Sequence, residues 1–270
     1  MSRPRPSIDQ DFARESPLAT EFRRLFHSIQ RSQQKSDLKS ILVTSAVTSE
    51  GKSTICSCLS ITAARKGHKT LLIDCDLRRP SLHRLFGLER DRGLVEVLAE
   101  GLPVKSAIRK SSVENLDIIT AGRVAPSPSE LFDSRQIGAI VGELKFYYDY
   151  AFVDAPPVIP VSDPMLLAQE LDGVILVVKA GSTPREVVQR AVEIMKNNSA
   201  RVLGVVLNNA RGTMPYYYNY SHYNYQYSPL PAAPADRPAG ARQSRRPQPP
   251  KGPAPSSSGS SSVDEHRGAR

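Results

Sequence analysis

Gly51, Lys52 and Ser53 stand where a run of β-branched residues gives way to a helical pattern, and these residue types at such a junction suit the binding of phosphate. From Ser45 to Thr54 the chain reads Ser-Ala-Val-Thr-Ser-Glu-Gly-Lys-Ser-Thr, between a strand expected over 41–44 and a helix expected over about 52–66. In such a turn successive backbone N–H groups curl around phosphate oxygens, and the helix dipole favours an anion. Lys52 is placed to neutralise the β- and γ-phosphates of a nucleotide, and the Ser53 hydroxyl to ligate Mg2+. The contact set spans Thr48, Ser49, Glu50, Gly51, Lys52, Ser53 and Thr54. Ala46 takes the place of the first glycine in the Gly-x-x-x-x-Gly-Lys-Ser/Thr pattern, which is tolerable if the backbone there keeps a negative φ. A serine-rich helix cap with a chance Gly-Lys pair is the alternative; the strand before and the helix after weigh against it.

Two acidic segments also end strands. Leu71-Leu-Ile-Asp-Cys-Asp-Leu-Arg-Arg-Pro80 carries Asp74 and Asp76, and Tyr150-Ala-Phe-Val-Asp-Ala-Pro-Pro157 carries Asp154. In an open parallel sheet, ligands bind beyond the carboxyl ends of the strands, so all three carboxylates are expected beside the phosphate loop. One such Asp could equally cap a helix. Three together favour a Mg2+–ATP site, because hard cations take carboxylate oxygens.

The third feature is a surplus of phenols. Seven of the ten tyrosines, Tyr216, Tyr217, Tyr218, Tyr220, Tyr223, Tyr225 and Tyr227, are separated only by Asn, Ser, His and Gln. The spacing fits neither a helical stripe nor strand alternation, so it offers no core face and the phenols should be exposed. A phenol with a pKa of about 10 must lose its proton to a base as it takes up a phosphoryl group. A sticky Tyr/Asn low-complexity segment is the competing account; an ATP site upstream favours substrate.

These groups need a scaffold, and the pattern supplies one. Strands are expected over 41–44, 70–73, 116–120, 151–153, 174–178 and 202–206, apolar on both faces, with helices over 52–66, 93–100, 134–147 and 185–197. That alternation implies an α/β, doubly wound, mainly parallel sheet with helices on both faces. Before it, residues 1–39 form an N-terminal segment whose Leu18, Phe22, Leu25, Phe26 and Ile29 make one apolar helical stripe over about 16–29. The principal domain is expected over 40–212 and the tyrosine cluster over 213–227. Residues 228–270, rich in Pro, Ser, Ala, Gly and Arg, cannot bury enough apolar surface to offset chain entropy, so a disordered tail is expected.

Composition sets the outer limits. The 270 residues contain 40% hydrophobic side chains, which excludes a wholly disordered chain. No apolar run approaches the roughly 20 residues of a membrane span, and the charged N-terminus lacks the apolar segment of a secretory signal. Three cysteines, Cys56, Cys58 and Cys75, cannot build a disulfide framework, so a reduced, intracellular chain is expected. The formal charge of +9 lies largely in the two terminal segments. Arg242, Arg245, Arg246 and Lys251 are few and proline-spaced, so nucleic-acid binding is not expected and a solvated tail is the plainer account.

Taken together, the phosphate loop, the Ile-Asp-Cys-Asp-Leu-Arg-Arg-Pro segment, Val-Asp-Ala-Pro-Pro and the terminal tyrosines resemble the bacterial tyrosine kinases of capsule and exopolysaccharide export. The resemblance covers about residues 15–227 and implies the P-loop NTPase fold. By it, Lys52 and Ser53 bind ATP and Mg2+, Asp76 and Asp154 hold or orient the metal, and Asp74 takes the phenolic proton. Thr48-Ser49 stands where the family often has Pro-Gly. Asn208, just past the last core strand, resembles an adenine contact, although a turn explains it almost as well. Glu21, Arg24 and His27 occupy the Glu-x-x-Arg-x-x-Arg pattern with which family members assemble rings, histidine replacing the last arginine; packing on its own domain is the other use for that helix. The resemblance further implies a cytoplasmic autokinase at the inner face of the membrane, phosphorylating its cluster in trans. Its partners would be a separate membrane-spanning activator of the chain-length-determinant type, further copies of itself in a ring-like homo-oligomer, and a tyrosine phosphatase. The runner-up is a partition or septum-placement ATPase that switches assembly without phosphorylating tyrosine. Those relatives carry a signature lysine where this chain has Val47.

Overall fold

The computed structural model describes residues 7–8, 12, 16–33, 37–125, 127–131 and 133–210. The tyrosine cluster and the tail therefore lie outside the described residues. Contacts divide the chain into Met1–Tyr223 and Asn224–Arg270, and the described residues all lie in the first unit.

In chain order the elements are α1 (Pro17–Gln33), β1 (Ser40–Ser45), α2 (Lys52–Arg65), β2 (Thr70–Asp74), α3 (Leu82–Leu85), α4 (Leu94–Glu100), α5 (Val104–Ala107), β3 (Arg109–Lys110), β4 (Leu116–Ile119), α6 (Pro128–Leu131), α7 (Ser134–Leu144), β5 (Tyr150–Asp154), α8 (Asp163–Glu170), β6 (Gly173–Lys179), α9 (Arg185–Asn197) and β7 (Val202–Asn208). One seven-stranded sheet runs β3-β4-β2-β5-β1-β6-β7. Every pairing is parallel except the short antiparallel edge pair β3–β4. The expected α/β sheet is what forms.

The central strands β1, β2, β4 and β5 are buried along their whole lengths, which is why they read as unbroken apolar runs rather than alternations. Alternate residues feed two separate cores. Ile41, Val43, Leu72 and Phe152 join Phe22, Phe26, Cys56 and Leu59, so α1 and α2 cover one face. Leu42, Leu71, Ile73 and Val153 join Leu94, Val141, Leu167 and Ala191, so α4, α7, α8 and α9 cover the other.

Three expectations are corrected. The strand over 202–206 is not buried on both faces: β7 is an edge, with Val205 and Leu207 nearly half exposed. The helix over 134–147 ends at Leu144, where Lys145 closes it and the chain turns into β5. Helix α1 does pack on its own domain, but through Ala19, Phe22, Phe26 and Ile29; Leu18, placed in the stripe, is mostly exposed. Glu21, Arg24 and His27 face solvent on the opposite side, with Glu21 and Arg24 paired at 2.7 Å. Among the described residues no helix is long and apolar enough to cross a membrane.

Candidate active site

The strand registers bring the acidic residues together. Asp74 ends β2 and Asp154 ends β5, and the two are direct partners in the parallel pairing; Val43 of β1 flanks Asp154 on its other side. The loop of residues 46–51 leaves β1 at that edge and enters α2, so its lysine meets the carboxylates. Lys52 Nζ lies 2.7 Å from Asp76 Oδ2, 3.3 Å from Asp154 Oδ1 and 3.2 Å from Ser53 Oγ. The expected grouping of Lys52, Ser53, Asp74, Asp76 and Asp154 on one edge is observed.

Burial and charge tune these groups against each other. Burial works to lower the proton affinity of Lys52, but the charges of Asp154 and Asp76 outweigh it and hold the ammonium above its ordinary value. Asp154 is fully buried, which lifts it to about 6, while the Lys52 charge opposes the rise. Asp74, equally buried and repelled by Asp154, is raised to about 7. Asp74 is also the most tightly held: Oδ1 accepts from the Asp76 N–H, and Oδ2 from the Ser81 and Leu82 N–H groups at the start of α3. The helix-capping use that a strand-terminal Asp can have is therefore present at Asp74 together with its raised proton affinity. Asp76 Oδ1 accepts from the Arg79 N–H, leaving Oδ2 to Lys52.

A hard divalent cation fits this set. Asp154 Oδ2 is buried without a hydrogen-bond partner among the described residues, although a buried carboxylate oxygen ordinarily has one. The Ser53 hydroxyl is close enough to this carboxylate to oppose the rise in its proton affinity. Ser53, Asp76 and Asp154 are thus the residues that would hold Mg2+, oxygen donors of the kind Mg2+ takes. Thiol chemistry has no place here: Cys56 and Cys75 are buried and free, and burial pushes both thiols well above their usual range.

The shape of the loop comes from a brace that residue spacing did not reveal. Glu50 is 2% exposed, and its carboxylate accepts from three donors: the Val47 N–H at 2.8 Å, the Lys179 N–H at 3.1 Å, and the Thr183 hydroxyl. Asn208 Nδ2 donates to the Glu50 carbonyl at 2.8 Å. Gly51 sits under that amide with φ 88°, and a Cβ there would lie 2.3 Å from Asn208 Nδ2. Glycine is required twice over, by backbone and by space. Ser49 also takes a positive φ of 65°, at the exposed crest with Thr48, while Thr54 is exposed on the first turn of α2. Asn208, expected just past the last core strand as an adenine contact, is instead the last residue of β7, and its amide is spent on the loop backbone; Glu50 acts through its side chain as well as its main chain. Buried Ala46 is accommodated without a positive φ.

The chain is similar to proteins already known. A family model described as ParA, NUBPL iron-transfer P-loop NTPase, matches residues 38–223. The putative tyrosine-protein kinase CapB of Staphylococcus aureus is 32% identical over 224 residues, covering 81% of this chain and 98% of that protein. The tyrosine-protein kinase YwqD of Bacillus subtilis is 34% identical over 191 residues, covering 71% of this chain and 81% of the relative. Among solved structures, the chimerical protein CapA2B2 superposes with a TM-score of 0.69 at 33% identity, covering 73% of this chain and 87% of that one.

Proposed function

Since the chain belongs to the bacterial tyrosine-protein kinases of the P-loop NTPase fold, we propose that it is an ATP-dependent autokinase whose substrates are the seven tyrosines at 216–227. The observation that carries this reading is Lys52, held between Asp76 and Asp154 at the mouth of the braced loop. The loop N–H groups and Lys52 bind and orient the phosphates. Bound at Ser53, Asp76 and Asp154, Mg2+ would spread the charge of the transferring phosphoryl group. Asp74 takes the phenolic proton. Its affinity near 7 is matched to neutral pH, and the amides that hold it must yield one oxygen as the phenol arrives.

The same reading places the protein in the control of polysaccharide polymerisation and export. It would work at the inner face of the membrane, recruited there by a separate membrane-spanning activator, assembled into rings through Glu21, Arg24 and His27, and reset by a tyrosine phosphatase. Each added phosphate brings roughly −1.5 to −2 charges. A multiply phosphorylated cluster therefore becomes strongly anionic, which would release it from neighbouring sites and loosen the ring.

One other reading is compatible with a P-loop NTPase family, an ATPase that switches assembly without modifying itself. Val47, in place of a signature lysine, and the tyrosine cluster count against it. Phosphopeptide mapping after incubation with Mg2+–ATP separates the two. Phosphotyrosine within 216–227 that vanishes in Lys52→Met supports the kinase. Nucleotide hydrolysis with no phosphotyrosine, in the presence of the activator, overturns it.

A further inference from the structure

Three tyrosines lie outside the cluster, and the fold treats them differently. Tyr150 is buried in β5, packed against Phe26, His68 and Phe152, and its hydroxyl bonds Gln33. Tyr148 donates to Asp117 Oδ2 at 2.7 Å, and burial with that carboxylate pushes its phenol well up. Tyr147 is 55% exposed, and among the described residues its hydroxyl has no hydrogen-bond partner. The Lys105 ammonium lies 5.4 Å from its ring centroid, and its neighbour Phe146 is 87% exposed. A protein-tyrosine kinase therefore meets one free phenol on the folded body of this chain.

We propose that Tyr147 is an additional phosphoacceptor, modified in trans by a second copy of this chain. This rests on the kinase reading and adds a substrate to it. Action within one copy is excluded by topology. Tyr147 lies in the short turn entering β5, whereas Lys52 and Asp154 lie where β5 ends; five residues at about 3.3 Å each put roughly 15 Å of sheet between them. The turn is anchored at both ends by α7 and β5 and cannot swing across. In the transfer, the phenolic oxygen of Tyr147 forms a bond to the γ-phosphorus of ATP. The bond from that phosphorus to the β–γ bridging oxygen breaks, ADP leaves with the electron pair, and the phenolic proton passes to a carboxylate of the acting copy. The product places a dianionic group beside Lys105, turning a cation–ring contact into an ion pair on the link between α5 and α7.

The test uses full-length chains co-produced in the source organism after deletion of its own copy, so that any activator is present. The acceptor is Lys52→Met with Tyr147 intact; the donor is active and carries Tyr147→Phe. The expected result is the mass shift of one phosphoryl group on the acceptor's Tyr147 peptide, absent when the acceptor is produced alone. Cluster peptides phosphorylated while Tyr147 stays unmodified overturn the inference and leave the kinase reading standing. Phosphate on Tyr147 with the acceptor alone, or equal modification of Tyr148 and Tyr150, also overturns it. No phosphotyrosine on any peptide overturns the kinase reading itself.

Discussion

Asn208, the last residue of β7, donates from Nδ2 to the carbonyl oxygen of Glu50 at 2.8 Å, and so fastens the end of the sheet's edge strand to the phosphate loop. Eight residues further on the first cluster tyrosine begins. The amide also presses on Gly51, which has room for nothing larger than hydrogen. Asn208→Ala loses one hydrogen bond, a net effect of about 0.5–1.5 kcal/mol, and nucleotide affinity should fall several-fold. Gly51→Ala meets both a clash and a left-handed φ, a strain of about 1–3 kcal/mol, and should lower affinity further. Titration with a fluorescent nucleotide ranks the two; equal affinity in Gly51→Ala and the parent chain would refute the steric argument.

Glu50 is worth more to stability than a loop residue ordinarily is. Replacing it with alanine leaves the Val47 and Lys179 N–H groups without their acceptor, and each buried donor so stranded costs about 1–3 kcal/mol. Glu50→Ala should therefore lower unfolding free energy by about 3 kcal/mol, with Glu50→Gln recovering part through its remaining oxygen. Urea denaturation with an unchanged m value is the measurement. A change under about 0.5 kcal/mol, the size of an ordinary surface effect, would show that the brace is not formed in solution.

Why the sequence disclosed Lys52 but not this brace is a matter of range. The strand over 41–44, the Gly-Lys-Ser junction and the strand-terminal aspartates are local patterns, and parallel pairing then brings Asp74 and Asp154 side by side. Glu50 reaches Lys179 and Thr183, some 130 residues away, and nothing in its own neighbourhood marks it. The same holds for β3, whose two residues form a strand only because β4 lies beside them. Leu18 was misplaced for a subtler reason. In the first turn of α1 it is Ala19, beside Leu18, that takes the inward position and is buried, so Leu18 is turned outward.

At the opposite end of the sheet Asp172 holds β1 in place: Oδ2 accepts from the Lys39 and Ser40 N–H groups and the Ser40 hydroxyl, and Oδ1 pairs with Lys145 at 2.7 Å. Partial burial works to raise this carboxyl, but Lys145 and the amides outweigh it and hold it below its ordinary 3.8. A depressed carboxyl binds fewer protons folded than unfolded. Its stabilisation is therefore complete above the unfolded value and is lost as pH falls through the folded one. Asp172→Asn should be less stable than the parent at pH 7, with the gap closing below about pH 4. Paired thermal melts across pH 3–7 check it; a gap that widens on acidification would reverse the sign.

The two faces of α1 should respond to mutation in opposite ways. Phe26 is fully buried, its ring 5.1 Å from Tyr150 and 5.5 Å from His68. Phe26→Ala should cost about 3–5 kcal/mol if helix and domain unfold together. If α1 instead detaches on its own, the loss appears as faster amide exchange confined to Pro17–Gln33. Arg24, paired with Glu21 in solvent, supplies at most about 0.5 kcal/mol to the isolated fold. Arg24→Ala should therefore leave the melting temperature unchanged. Native mass measurement tells the faces apart: Arg24→Ala is expected to shift the population toward smaller assemblies at unchanged stability, because the exposed charged side is the one free to meet a neighbour. Phe26→Ala should lower stability and assembly together, since a detached helix presents no fixed surface. An Arg24→Ala chain with the parent's full distribution of assemblies would remove the exposed face from the contact, leaving α1 only its packing role.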